Sequence, residues 1–226
     1  MVLAMSAATT RPTPPAGAPS PTDARTRLLD AAMHVIRAQG YSATTVDDIC
    51  RAAGLTKGAF FHHFKSKEDL GVAAAAHFSA MAERVFGAAP YREPADPLDR
   101  VLGYIDFRSA IIAGPLPDFT CLLGTMVQEA YDTHPAIRRA CETYIGVHVA
   151  DVAKDIEAAK ALYAPEAPWS AESLALHTQA ALQGAFILAK AKGGPEIARD
   201  SVAHLRAYIE HLFHRPTTNR TTNREE

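Results

Sequence analysis

The sequence predicts an all-α protein of about nine helices, three short ones ahead of a set of long ones. Three observations carry this. Apolar residues recur at helical spacing, as in Leu28, Ala32, Val35 and Ile36 at i, i+4, i+7 and i+8. Capping residues and glycines punctuate the chain where such stripes begin and end. No stretch alternates apolar and polar residues between turn signals, as strands would.

The elements follow in order. The first helix carries the Leu28–Ile36 stripe and ends at Gly40, a residue suited to a left-handed cap. Thr44 or Thr45 starts a second helix, and Asp47 or Asp48 closes a capping box. Val46, Ile49, Cys50 and Ala53 form its buried face, and Gly54 breaks it. Thr56 caps a very short third helix lasting to about His63, and Ser66 caps a fourth, with Asp69 three residues on. Pro97, after Asp96, stands at the start of the next, which "GPLP" at 114–117 ends. One helix is expected from near Asp118 to Tyr131, and another from "THP" at 133–135 to about Leu162. Ser170 opens the next, and Gly193-Gly194-Pro195 separates it from the last.

Bulk properties narrow the class. The chain has 226 residues, 48% of them hydrophobic, enough for a proper core. A formal net charge of -2 excludes a wholly basic nucleic-acid coat protein but leaves room for a small module with a few local cations. Three cysteines, Cys50, Cys121 and Cys141, form neither a disulfide framework nor a CxxC pair. The N-terminal residues lack the basic start and apolar run of a signal peptide, and no apolar run is long enough to span a bilayer, so a cytoplasmic protein is expected. Residues 1–21, rich in Pro, Ala, Ser and Thr, and residues 215–226 are expected to be disordered tails.

The stretch "CRAAGLTKG" holds the most informative geometry. Ala53 lets two helices approach, Gly54 permits a left-handed turn, and Leu55 plugs it. Thr56 then opens a helix whose first residues, Lys57, Gly58 and Ala59, are small or cationic. This is a helix-turn-helix design, whose second helix enters the major groove. In "AFFHHF" that follows, His62 and His63 point about 100° apart on a helix, a poor arrangement for sharing one metal. Packing and surface contact remain as their roles.

The segment "TTVDDICRAAGLTKGAFFHHFKSKEDL", Thr44 to Leu70, resembles the DNA-binding domain of the TetR family of transcriptional regulators. The likeness extends back through "GYSATT" and covers roughly residues 24–75. It implies a helix-turn-helix DNA-binding domain over 22–68 and a ligand-binding and dimerisation domain over 69–214. It also implies DNA contacts from Thr45, Thr56, Lys57, Gly58, Ala59, Phe61, His62 and Lys67, with His62 and Lys67 against the phosphate backbone. Phe64 would anchor the recognition helix to the core. The family often has Tyr where this chain has Phe61, so one phosphate hydrogen bond is missing here. Residues 22–70 hold seven Lys or Arg against six Asp or Glu, so binding must rest on placement rather than bulk charge.

In the larger domain, Phe78, Met81, Phe107, Ile111, Cys121, Leu122, Met126, Tyr144 and Phe186 are candidate pocket walls, with His148, Gln179 and Gln183 as polar groups to orient a ligand. For any one of the apolar residues ordinary core is the commoner role, and the resemblance is what raises the pocket. Cys121, at a helix start, is also a candidate redox or electrophile sensor, or more remotely an enzymatic nucleophile. No nucleophile elbow, phosphate loop or metal cluster accompanies it, so neither an enzyme nor a cofactor is expected. His211 and His214, spaced i, i+3, suit a solvated helix end better than a metal.

Small residues at Ala181, Gly184, Ala185 and Ala189, and the stripe Ile197, Leu205, Ile209, Leu212 and Phe213, mark the last two helices as a homodimer interface. The resemblance thus predicts a repressor released from a palindromic operator by a small molecule.

Overall fold

A computed structural model describes residues 21–214, and the expected tails lie outside that range except for Pro21, which opens the first helix. Among the described residues there are ten α-helices and no strand. They are α1 (Pro21–Gln39), α2 (Val46–Ala53), α3 (Lys57–His63), α4 (Lys67–Gly87), α5 (Pro97–Ala110), α6 (Leu116–Phe119), α7 (Leu122–Ala130), α8 (Pro135–Tyr163), α9 (Ala171–Lys192) and α10 (Glu196–Leu212). A single 3₁₀ turn, Pro90–Arg92, links α4 to α5.

Local chemistry sets the boundaries of the short helices. The Thr45 hydroxyl accepts the Asp48 amide at 3.1 Å, and the Asp48 carboxylate accepts the Thr45 amide at 3.0 Å, a complete capping box. At the other end of α2, Gly54 adopts φ 62, ψ 39. Its amide reaches Arg51 O at 3.2 Å while Leu55 N reaches Cys50 O at 2.9 Å. Those two bonds make a Schellman turn, which redirects the chain into α3 and satisfies carbonyls that would otherwise be stranded. Arg27 of α1 adds a third cap, donating to Ala53 O at 2.5 Å. Thr56 and Ser66 then cap α3 and α4, accepting from Ala59 N and Asp69 N.

The expected helix from Asp118 to Tyr131 is two helices. Thr120 is extended, with φ -79 and ψ 156, and its hydroxyl donates back to Leu116 O at 2.8 Å. The Cys121 sulfur then caps α7 by accepting the Gly124 amide at 3.4 Å. A β-branched hydroxyl residue bonding backward and a capping sulfur divide a stretch that hydrophobicity alone reads as continuous.

Two apolar clusters hold the chain together. One joins Leu28, Ile36, Ile49, Phe60, Phe64 and Leu70 to Leu122, Met126, Ile137 and Cys141 from α7 and α8. The three N-terminal helices therefore share a core with the larger domain. The expected boundary between residues 68 and 69 falls inside α4, whose Leu70, Ala74 and Ala75 belong to this same cluster. The second cluster packs α5, the rest of α8, α9 and α10 around Leu98, Ile105, Ile156, Leu182 and Ile209. Ion pairs lace its rim: Arg100 meets Asp155 at 2.8 Å, Arg92 meets Asp151 and Asp155, and Arg206 meets Asp106 at 2.7 Å and Glu210.

Candidate DNA-reading face and internal cavity

The recognition helix α3 is held by what it buries. Phe60 is fully enclosed and Phe64, its C-terminal cap, is nearly so; the two rings lie 5.8 Å apart. The opposite side is open. Thr56, Lys57, Gly58 and His62 are exposed, and Phe61 is 57% exposed. Helical spacing sets Lys57, Gly58, Phe61 and His62 on one face. Ala59 lies half-buried beside them, and Thr45 is exposed at the start of α2. The His62 and His63 rings meet edge to face at 4.9 Å. Among the described residues no cluster of three or more His, Cys, Asp or Glu could hold a metal ion. Lys57 pairs with Asp47 at 2.9 Å, both largely solvated, so the pair is weak and the ammonium is available for exchange.

Lys67 departs from its expected place against phosphate. Its ammonium turns inward and donates to Tyr41 O and Thr44 O, each at 3.0 Å, and approaches Ser42 O at 3.5 Å. It also stands 4.4 Å from the centre of the Tyr41 ring. Burial lowers its pKa, against a smaller raising effect of Glu129. The three donors of an ammonium are thus engaged in tying the α1–α2 loop to the start of α4.

The same loop is gripped from below. The Glu129 carboxylate, on α7, accepts the Ser42 amide at 2.7 Å and lies against Gly40, whose φ of 91 leaves no place for a side chain.

Between α1 and α4–α9 lies a cavity of about 250 Å³. Eight of the twelve candidates line it: Phe78, Met81, Ile111, Cys121, His148, Gln179, Gln183 and Phe186. Four do not. Met126 is fully buried in the N-terminal core, Tyr144 packs against that core, and Phe107 packs on the second cluster beside Phe86 and Tyr91. Leu122, also a candidate wall, is fully buried in the N-terminal core. Apolar periodicity reports which face of a helix is inward, not whether that face meets a neighbour or a void.

Two cationic wall residues were missed. Arg37 comes from α1 and donates to Met33 O at 3.0 Å and, outside α1, to Asp118 O at 3.3 Å and Thr120 O at 3.4 Å. Arg108 comes from α5. Both had a signal in the sequence. Each occupies a stripe position where its helix otherwise places hydrocarbon: Met33 precedes Arg37 by four, and Leu98, Val101 and Ile105 lead to Arg108 at spacings of three and four.

A polar network closes one end of the cavity. Gln179 donates to the Tyr104 hydroxyl at 3.1 Å, and that hydroxyl shares a hydrogen bond of 2.9 Å with His148 Nε2. Burial, helped by the positive charge of Arg108, pushes the His148 pKa down to about 4, so the ring is neutral near pH 7. Burial likewise pushes the Cys141 thiol up to about 12 and raises Cys50, whereas Cys121 borders the cavity and is half-buried.

The last two helices present a different outer face from the one expected. Ala185 and Ala189 are buried, as are Leu205, Ile209 and Phe213, all within the chain's own second core. What α9 leaves outside is Leu176, Ala180, Ile187 and Leu188, with Gly184 half-buried among them, and α10 adds Tyr208.

Residues 28–75 match the family model described as bacterial regulatory proteins, tetR family. The chain is 30% identical over 115 residues to the transcriptional regulator AcuR of Cereibacter sphaeroides, covering 51% of this chain and 52% of that one. It is 29% identical over 117 residues to the transcriptional repressor DhaR of Mycobacterium sp., covering 52% of this chain and 57% of that one. The chain thus spans about half the length of these curated relatives. Among solved structures, a TetR transcriptional regulator from Chloroflexus aurantiacus superposes with a TM-score of 0.73 at 26% identity, over 84% of this chain and 95% of that one. A TetR-family regulator from Agrobacterium tumefaciens gives 0.74 at 20% identity, over 86% of this chain and 100% of that one, a likeness of fold. The helix-turn-helix segment over residues 28–75 thus matches the TetR family model, and the fold is similar to that of TetR-family regulators.

Proposed function

We propose that the protein is a homodimeric transcriptional repressor that binds a palindromic operator and leaves it when a small molecule fills the cavity. The observation that carries this reading is Arg37. It stands on α1, in the DNA-reading unit, yet it lines the cavity and holds the α6–α7 junction through two carbonyls. A ligand in the cavity therefore touches a side chain of α1, the helix that packs against α2 and α3, and a ligand that displaces the Arg37 guanidinium breaks its bonds to Asp118 O and Thr120 O. Differential affinity for two placements of α1 is all that such a switch requires.

The DNA contacts are assigned to Thr45, Thr56, Lys57, Gly58, Ala59, Phe61 and His62, with Lys67 as a supporting residue. Phosphate and base contacts would come from Lys57 and His62, and Phe61 would pack on the sugar-phosphate wall. The outer stripe of α9, with Tyr208, supports a two-fold bundle with a second copy. Such a dimer carries two recognition helices to half-sites about 34 Å apart.

The test is selection of duplexes from random DNA, followed by titration with a compound that raises the thermal stability of the protein. The compound should weaken operator binding, and the operator should weaken compound binding by the same factor. Saturation with the compound and an unchanged operator affinity would refute the reading, as would failure to select any specific duplex.

A further inference from the structure

Among the described residues no carboxylate forms an ion pair with Arg108. Its guanidinium carbon lies 5.3 Å from the centre of the Phe86 ring and 5.7 Å from that of Phe186, so it is held between two aromatic groups at the cavity wall. Its Nε is shielded from solvent and has no hydrogen-bond partner among the described residues. The other enclosed arginines are answered. Arg92, Arg100 and Arg206 each meet an aspartate, and Arg37 meets backbone carbonyls. Ring faces offset part of the cost of burying a guanidinium, but they leave the in-plane Nε donor without a partner.

The charge balance of the cavity points the same way. Its ionisable lining is Arg37, Arg108, Asp118 and His148, with Cys121. Asp118 stands by Arg37, whose pKa it raises against burial, and 4.0 Å from His34 Nδ1. His148 is neutral. One positive charge remains, and it is on Arg108. Around it the walls are hydrocarbon and aromatic: Phe78, Met81, Ile111 and Phe119. The cavity of about 250 Å³ corresponds to roughly eight water volumes, room for a compound on the order of ten non-hydrogen atoms.

We propose that the effector is a small organic acid, with its carboxylate on the Arg108 guanidinium and an apolar body between the aromatic walls. A planar fork facing a planar carboxylate gives two parallel charge-assisted bonds, which an uncharged amide cannot reproduce. The inference rests on the reading of this cavity as the effector site, and it adds the sign of the ligand's charge and the residue that reads it.

The experiment pairs each acid with its own amide: benzoate with benzamide, and hexanoate with hexanamide. Binding to the full chain is measured by calorimetry and by thermal denaturation, for wild type, Arg108→Gln and Arg108→Lys. Wild type should bind at least one acid about tenfold or more tightly than its amide, the worth of a charge-assisted pair. Arg108→Gln should erase that ratio while leaving the amide's affinity unchanged, and Arg108→Lys should keep part of it. A merely structural role would weaken acid and amide together. Equal affinity of acid and amide in wild type, a ratio that survives in Arg108→Gln, or no saturable binding of either acid at millimolar concentration would each overturn the proposal. DNA selection with the same preparation separates the two readings. Specific DNA binding without acid preference removes this inference alone, and acid preference without DNA binding removes the repressor alone.

Discussion

Replacing Lys67 by Met separates a structural lysine from a phosphate-binding one. In the structure the ammonium makes two hydrogen bonds of 3.0 Å to the carbonyls of Tyr41 and Thr44 and a cation–π contact with the Tyr41 ring. Hydrogen bonds from a charged donor are worth about 1.5 kcal/mol each at the lower end of their range. The ring contact adds about 0.5 kcal/mol at a half-exposed site. Burial offsets part of this gain, as the lowered pKa attests. The net loss on Lys67→Met should then be about 2 kcal/mol, small enough for a domain of ordinary stability to remain folded. Tyr41 O keeps the Thr44 amide at 3.2 Å as a partner, so most of the loss falls on Thr44 O and the loop around it. The assays are urea unfolding and operator binding by fluorescence anisotropy at several salt concentrations. A phosphate contact in each half-site contributes about 0.9 to the slope of log affinity against log salt, so its loss from a dimer lowers the slope by about 1.8. Lys67→Met should leave that slope unchanged, whereas Lys57→Met, at an exposed site on α3, should reduce it. A slope reduced by Lys67→Met with no change in the urea midpoint would refute the inward assignment.

Further outcomes are expected elsewhere. His148 titrates at about 4 in the fold against an ordinary 6.5, so the unfolded chain binds more protons between those values and stability rises with pH across that window. The contribution is complete above pH 6.5 and is lost as pH falls toward 4. It amounts to about 3 kcal/mol and is removed by His148→Gln, as read from urea midpoints against pH. Ile187→Glu together with Leu188→Glu should convert a dimer to a monomer in sedimentation velocity while leaving the helical circular dichroism intact, because both side chains are 48% exposed on one chain. Arg37→Leu should weaken the coupling between a stabilising compound and the operator more than it weakens either binding event alone, measured by titrating each in the presence of the other.

The parts of the fold legible in the sequence were those written in local chemistry. The Thr45–Asp48 box, the Gly40 and Gly54 caps, Ser66 and Pro97 all act within a few residues of themselves, so spacing alone reveals them. The break at Thr120 and Cys121 was hidden because a capping sulfur looks like any other apolar residue in a helical run. Met126 and Phe186 read alike as apolar stripe residues, yet one is core and the other borders the cavity. That difference is set by what the facing helix leaves unfilled. Lys67 has the same spelling whether its chain extends outward or folds under Tyr41. On α9 the small residues suggest a mating face, but Ala185 and Ala189 serve the chain's own packing, and the exposed stripe is one helical step away.

The apolar cluster that runs from Leu28 through Phe60 and Leu70 to Met126, Ile137 and Cys141 has a consequence for how this protein can be altered. The first three helices are not a detachable cassette. Cutting the chain after Ser66 would strip α1, and with it Leu28 and Ile36, of its packing against α4, α6 and α7. A chimera that exchanges the cavity must keep α7 and the first turns of α8 with the first three helices. The part open to exchange lies beyond that seam, in α5, the remainder of α8, and α9, where the cavity's own walls can vary while the packing against the first three helices stays the same.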